Sequence, residues 1–183
     1  NDKNFKLKIA VADRGSDSKN RSAKVDDFVF DGDGNFTGAT MTLGRSLGKG
    51  VPDDSESYPV SSSLDETDSA RVGASKIAHE FGHLDDFRSL GTTFYEQQKI
   101  YDAIKSRVED LGRQKRYREL DTDPTLRSLN ESFQKKFGTT TTQEGINRDN
   151  RAERQAIPTI RQIFGNSLSD RAKKAMTKLE KGN

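Results

Sequence analysis

Residues 69–90 read SARVGASKIAHEFGHLDDFRSL, and this stretch decides the architecture of the chain. Its apolar side chains recur at three- and four-residue intervals, the spacing that places them on one face of an α-helix. These apolar positions are Ala74, Ile77, Ala78, Phe81 and Leu84. Asp68 and Ser69 offer capping side chains before the stretch, and Gly91 offers a stop after it. We therefore predict an amphipathic helix over residues 69–90.

The chain before this helix has the pattern of a small sheet. Residues 5–12 alternate apolar and polar side chains, which is typical of a strand with one buried face. Residues 25–30 and 36–43 read as two further strands, joined by the turn DGDGN at residues 31–35. Residues 44–68 are rich in Gly, Ser, Asp and Pro and predict a long surface loop, with a short strand at 58–62 as an option.

The chain after residue 91 reads as helix throughout. The predicted helices span about 94–115, 124–137, 146–164 and 168–181. Strands followed by helices indicate an α+β fold, with a small, largely antiparallel N-terminal sheet and a helical C-terminal half. We predict one domain over 1–183, made of the sheet and long loop (1–68), the central helix (69–91) and a helical subdomain (92–183).

Composition narrows the classes of protein that fit. Of 183 residues only 30% are hydrophobic, which favours one core rather than two. The 31 basic and 29 acidic residues are mixed along the chain, which argues against a nucleic-acid partner. No apolar run is long enough to predict a membrane span. The chain has no cysteine, which excludes disulfides and thiolate metal sites. We expect a monomer. The cellular compartment is not determined by the sequence, and we favour a secreted or extracellular location.

The predicted central helix carries both histidines of the chain, in the run His79-Glu80-Phe81-Gly82-His83. Positions i and i+4 lie on one face of a helix, so both imidazoles could reach a single Zn²⁺ ion. Glu80 lies about 100° round the helix from His79 and could instead reach a water molecule on that ion. The spacing therefore suggests hydrolysis, in which a metal-activated water attacks a carbonyl and Glu80 is the general base.

The segment His79–Asp86, HEFGHLDD, resembles the zinc-binding helix of the zincin superfamily of metallopeptidases. The resemblance covers this helix and the order of strands before helices. It implies a zinc-dependent endopeptidase that acts on a peptide or protein substrate. In zincins the edge strand of the sheet binds extended peptide, and by analogy residues 38–44 would form that strand. The substrate-binding residues would then be Ala39, Thr40, Met41 and Thr42, unless this strand is internal to the sheet.

A catalytic zinc site needs a third protein ligand, and since no other histidine exists, that ligand must be a carboxylate. Glu153 is our first candidate, because Ala152 and Ala156 would let its helix approach the metal helix closely. This arrangement is similar to that of gluzincins, in which a later helix supplies a glutamate. Asp86 is the alternative ligand, although it is better suited to accept an imidazole N–H and fix the tautomer. Two further candidates are Glu144 and Glu96.

A group that stabilises the oxyanion is also expected near such a metal. The four tyrosines are candidates, and we choose Tyr117, which lies in a basic stretch between predicted helices. Tyr58, Tyr95 and Tyr101 are the alternatives.

Three other functions stay open at this point. The chain could be a non-catalytic, zincin-like binding module that keeps the helix. It could be a proteolytic toxin or effector domain. The same metal chemistry could also hydrolyse a bond other than a peptide bond. Glu80 favours an enzyme, because a purely structural zinc site has no need of a base.

Overall fold

A computed structural model describes residues 5–12, 23–44, 47, 60, 63–64 and 69–182. The described chain is α+β, as predicted: a three-stranded sheet is followed by five α-helices. The strands are β1 (Lys6–Val11), β2 (Ala23–Phe30) and β3 (Phe36–Leu43). The helices are α1 (Ser69–Leu90), α2 (Thr92–Arg113), α3 (Pro124–Phe137), α4 (Thr141–Phe164) and α5 (Asp170–Glu180). The short strand considered at 58–62 lies, apart from Val60 in a turn, outside the described residues.

The sheet has the order β1–β3–β2, with β1 parallel and β2 antiparallel to β3. It is therefore mixed, and our expectation of a largely antiparallel sheet was wrong for β1. Because β3 is paired on both sides, it is the central strand. The predicted edge strand is thus also wrong: Thr40, Met41 and Thr42 are paired with both neighbouring strands, and Ala39 is paired with β1 and lies opposite a bulge of β2.

The turn between β2 and β3 forms as its sequence predicts. The Asp31 carboxylate accepts hydrogen bonds from the backbone N–H groups of Asp33 and Asn35, at 3.0 and 2.9 Å. Gly34 has a φ of 81°, a value that favours glycine, and a side chain there would collide with the ring of Tyr95. The turn is closed by its own side chains and packs against α2.

Side-chain caps set the starts of the last three helices. Asp123 accepts from the Leu126 N–H, and Pro124 occupies the first turn of α3. Thr140 accepts from the Gln143 N–H, so α4 begins five residues before our predicted start at residue 146. Ser169 caps α5 in the same way. The bounds predicted for α1 and α3 match the structure.

Helix α1 lies between two apolar clusters. On one side it packs against the sheet and α2, in a cluster dominated by phenylalanine rings. On the other side it packs against α4, with α5 and the loop residues Val60 and Leu64 completing the cluster. Gly82 of α1 faces the backbone of Ala152 in α4 with no room for a side chain. The two helices are therefore in close contact at the middle of the motif segment.

Among the described residues, no helix combines the length and apolar character that crossing a membrane requires.

Candidate metal centre

The two histidines of α1 converge on one point. They lie one helical turn apart, and their Nε2 atoms are 3.1 Å from each other. The two rings are nearly perpendicular, with centroids 4.7 Å apart. His79 is buried and His83 is half-buried at the mouth of the groove between α1 and α4. The i, i+4 spacing thus brings both imidazoles together, as the sequence predicts for a metal pair.

A carboxylate from α4 completes the group. Oδ1 of Asp149 lies 3.3 Å from Nε2 of His83. The potential ligand atoms of His79, His83 and Asp149 all lie within 4.8 Å of one another. Each residue is at least partly buried, so the group lies between two helices and not on the fully exposed surface.

Two of the three spacings between these atoms are close to those of a zinc site. Zinc–nitrogen and zinc–oxygen bonds of about 2.0–2.2 Å at tetrahedral angles separate neighbouring ligand atoms by roughly 3.3–3.6 Å. The distances of 3.1 Å between His79 and His83 and 3.3 Å between His83 and Asp149 are close to that range. Two imidazoles and one carboxylate leave a fourth position open, which is the pattern of a catalytic rather than a structural zinc site.

The surroundings of His79 favour the form that binds metal. The ring of His83 stacks on Phe87 at a centroid distance of 5.6 Å and an angle of 16°. Burial, with a smaller contribution from the charge of His83, lowers the pKa of His79 to about 3. His79 is therefore neutral over the physiological range, and a neutral imidazole nitrogen can ligate a metal ion.

Glu80 lies on the side of α1 that faces the sheet. Its carboxylate is buried and accepts a hydrogen bond from the backbone N–H of Val25 in β2. Burial is the main cause that raises the pKa of Glu80 to about 7, with Asp149 and Asp26 adding to the rise and His83 opposing it. β2 is paired with β3 on one side only, so among the described strands its other side is an unpaired edge of the sheet.

The structure brings Asp149, and not Glu153, to the two histidines. Glu153 lies one turn further along α4 and is fully buried, with Oε2 accepting from the backbone N–H of Val60 at 2.8 Å. Among the described residues Asp149, and not our first choice Glu153, is therefore the carboxylate that lies with both histidines in a group able to hold a metal ion. The two residues share one face of α4, and the sequence signal was present: Asp149 is one turn before Glu153 and three residues before the small residue Ala152.

The other predicted ligands form ion pairs with basic residues and do not join the two histidines. Both oxygens of Asp86 accept from Arg151, at 2.6 and 3.0 Å, so the expected imidazole contact is replaced by an ion pair between α1 and α4. Glu144 accepts from the same arginine at 2.8 Å. Glu96 is half-exposed and pairs with Lys136 at 3.0 Å.

The predicted oxyanion group, Tyr117, lies far from the histidines. It is 63% exposed and follows the C-terminus of α2, whereas Phe94 near the N-terminus of α2 packs on Phe87 beside His83. The intervening length of α2 is about 30 Å at 1.5 Å per residue. We therefore correct this assignment, because Tyr117 cannot reach a carbonyl at the metal centre.

Two of the other tyrosines have structural contacts. The hydroxyl of Tyr101 donates to the carbonyl oxygen of Thr141 at 2.9 Å. Tyr95 packs against the β2–β3 turn and Phe30. Tyr58, the remaining alternative, lies outside the described residues.

Comparisons with known proteins give no match, so any proposal about function depends on the geometry of the site. No protein-family model matches the chain, and searches of curated proteins and of solved structures find no significant match.

Proposed function

We propose that the protein is a zinc-dependent endopeptidase in which His79, His83 and Asp149 hold the metal ion. The observation that carries this proposal is the convergence of three ligand atoms from α1 and α4 within 4.8 Å of one another. When bound, zinc supplies a Lewis acid that lowers the pKa of a water molecule and polarises a carbonyl oxygen.

The other parts of the reaction come from this chain. Glu80 follows His79 directly, so it can accept the proton that an attacking water loses and return it to the leaving amine. Glu80 contacts Val25 of β2, and among the described strands β2 has an unpaired edge. A peptide that adds to this edge as a further strand would lie next to the helix that carries Glu80 and the two histidines. β2 thus takes the role that the sequence suggested for β3.

Metal binding tests the ligand set. The wild type, Asp149→Asn and a matched control, Asp85→Asn, would be dialysed against a weak chelator and analysed for zinc. Asp85 is an exposed aspartate two residues after His83. We expect near-stoichiometric zinc in the wild type and the control. Loss of a ligand should weaken zinc binding by about 100-fold or more, since even indirect partners of the ligands contribute about 10–100-fold.

A second comparison separates catalysis from binding. Glu80→Gln should retain zinc but hydrolyse a mixed peptide library about 10²–10⁴-fold more slowly than the wild type, because it removes the general base. A wild type that binds zinc and leaves every peptide intact would contradict the peptidase and favour a binding module. Failure of the wild type to bind added zinc would contradict the metal centre itself.

A further inference from the structure

A pocket of about 400 Å³ lies between β2 and α2, apart from the three metal-ligand candidates. Its lining combines aromatic rings from both elements with charged side chains at the rim. The rings are those of Phe28, Phe30 and Tyr95, and the charged groups are Asp26, Asp27, Lys99, Asp102 and Lys105. Such a lining suits a guest with an apolar or planar body and a charged end.

A β-bulge shapes the strand side of this pocket. Asp26 pairs with Thr40 and Val29 with Gly38, so β2 has one residue more than β3 between these pairs. Asp27, within the bulge, has a φ of 49°, which is uncommon outside glycine. Bulges of this kind redirect side chains near functional sites. Here the bulge places Asp26, Asp27 and the ring of Phe28 along one pocket.

The charges at the rim favour a cationic guest. Oδ1 of Asp26 is buried and has no hydrogen-bond partner among the described residues, while Oδ2 pairs with Lys24. The two lysines of the pocket have partners of their own. Lys99 lies 4.2 Å above the ring of Tyr95, and Lys105 lies 4.0 Å from Glu109. The Asp26 side chain as a whole is 33% exposed, so the carboxylates of Asp26 and Asp27 in the pocket lining can accept hydrogen bonds from a cationic guest.

The pocket also lies beside the proposed catalytic group. Asp26 directly follows Val25, whose N–H donates to Glu80. A peptide lying along the unpaired edge of β2 would therefore pass both Glu80 and the mouth of the pocket. Its side chains would project away from its backbone, and one of them could enter.

We propose that this pocket binds the cationic side chain of an arginine or lysine in a peptide that lies along β2. The position of that residue next to the cleaved bond rests on the proposed peptidase function; the affinity of the pocket for a cation does not. The aromatic rings would contact the body of the side chain, and Asp26 and Asp27 would accept hydrogen bonds from its charged end.

Binding of small aromatic probes tests the pocket without any catalysis. Benzamidine is a cation and benzamide is its neutral analogue of nearly the same shape. Titration of each into the wild-type protein, followed by amide NMR shifts, should show benzamidine binding about tenfold more tightly, as expected of hydrogen bonds to a charged group. The shifts should be centred on Asp26, Asp27 and Tyr95. Equal affinities, or shifts centred elsewhere, would overturn the proposal.

Variants extend this test. Asp26→Asn with Asp27→Asn should remove the preference for benzamidine, whereas Asp121→Asn, at an exposed aspartate on the rim of a different pocket, should keep it. If the double variant does not fold, the comparison of benzamidine with benzamide on the wild-type protein still tests the proposal.

Peptide cleavage separates this inference from the proposed function. With zinc-loaded protein and a peptide library, we expect Arg and Lys to be enriched at one position relative to the cleaved bond. Cleavage without such enrichment would overturn the inference and leave the peptidase standing. No cleavage together with selective benzamidine binding would contradict the peptidase and support the cation pocket.

Discussion

Helices α1 and α4 are in close contact at Gly82, and Gly82→Ala should therefore disturb both the fold and the candidate metal centre. A Cβ atom at this position would lie 2.3 Å from the carbonyl oxygen of Ala152 and 2.9 Å from two more of its backbone atoms. Ordinary contact begins at 3.4 Å, so the two backbones would have to separate by about 1.1 Å. A backbone group cannot rotate away as a flexible side chain can.

The expected cost follows from this separation. Overfilling a packed site costs about 1–3 kcal/mol, and a contact between two backbones belongs at the upper end. Alanine recovers up to about 1 kcal/mol through its higher helix propensity. We expect the free energy of unfolding to fall by about 2 kcal/mol. Because Asp149 and His83 lie on the two separating helices, zinc affinity should fall by about 10–100-fold.

Gly145→Ala provides the matched control. Gly145 is also helical, in α4, and an added Cβ would have no neighbour within 4 Å. This variant should gain about 0.5–1 kcal/mol in stability and keep its zinc affinity. Urea unfolding followed by circular dichroism measures the first quantity, and competition with a chromophoric chelator measures the second. Equal stability and equal zinc affinity for the two variants would refute the proposed contact between α1 and α4.

Three further outcomes are expected. Phe94→Ala should lower the free energy of unfolding in urea by about 3–5 kcal/mol, because this ring is fully buried and stacked on another phenylalanine. Arg151→Lys should have a larger effect on zinc affinity than on the free energy of unfolding. Lysine cannot bind both oxygens of Asp86 as Arg151 does, so α4 would be held less firmly at the metal centre. A lower free energy of unfolding with unchanged zinc affinity would contradict this. Arg107 lowers the pKa of Asp123 to about 2 from an ordinary value of 3.8. The stabilisation by Asp123 should thus be complete above about pH 4 and lost as the pH falls towards 2, and Asp123→Asn should flatten urea-derived stability over that range.

The sequence predicted the local features of this fold well. The apolar periodicity of residues 69–90 is a property of neighbouring residues, and both α1 and α3 have their predicted bounds. The pairing of the strands was harder to predict from the sequence. Alternation shows that β1 and β3 are strands but not that they are parallel neighbours, because pairing depends on contacts between segments distant in the chain. That missing information caused the wrong choice of β3 as the edge strand.

The candidate site likewise has residues that local sequence predicts and one that it does not. His79, Glu80 and His83 are close in sequence, so helix geometry alone brings the two histidines together. The carboxylate from α4 could not be chosen by local pattern, because Asp149 and Glu153 share a face and differ by one turn. The choice depends on where α4 crosses α1. At Gly82 the backbone of Ala152 is too close for any side chain, and the neighbouring Glu153 is directed into the interior. One turn earlier, Oδ1 of Asp149 lies 3.3 Å from Nε2 of His83.

The two carboxylates on this face of α4 therefore have separate tasks. A fully buried glutamate is costly unless its oxygens are hydrogen-bonded, and Glu153 receives the backbone N–H of Val60 from the long segment between β3 and α1. That bond attaches the segment to α4 one turn from Asp149. Val60 is itself fully buried in the cluster shared by α1 and α4. The same helix thus presents one carboxylate to the histidines and uses the next to hold the segment that leads into the histidine-bearing helix.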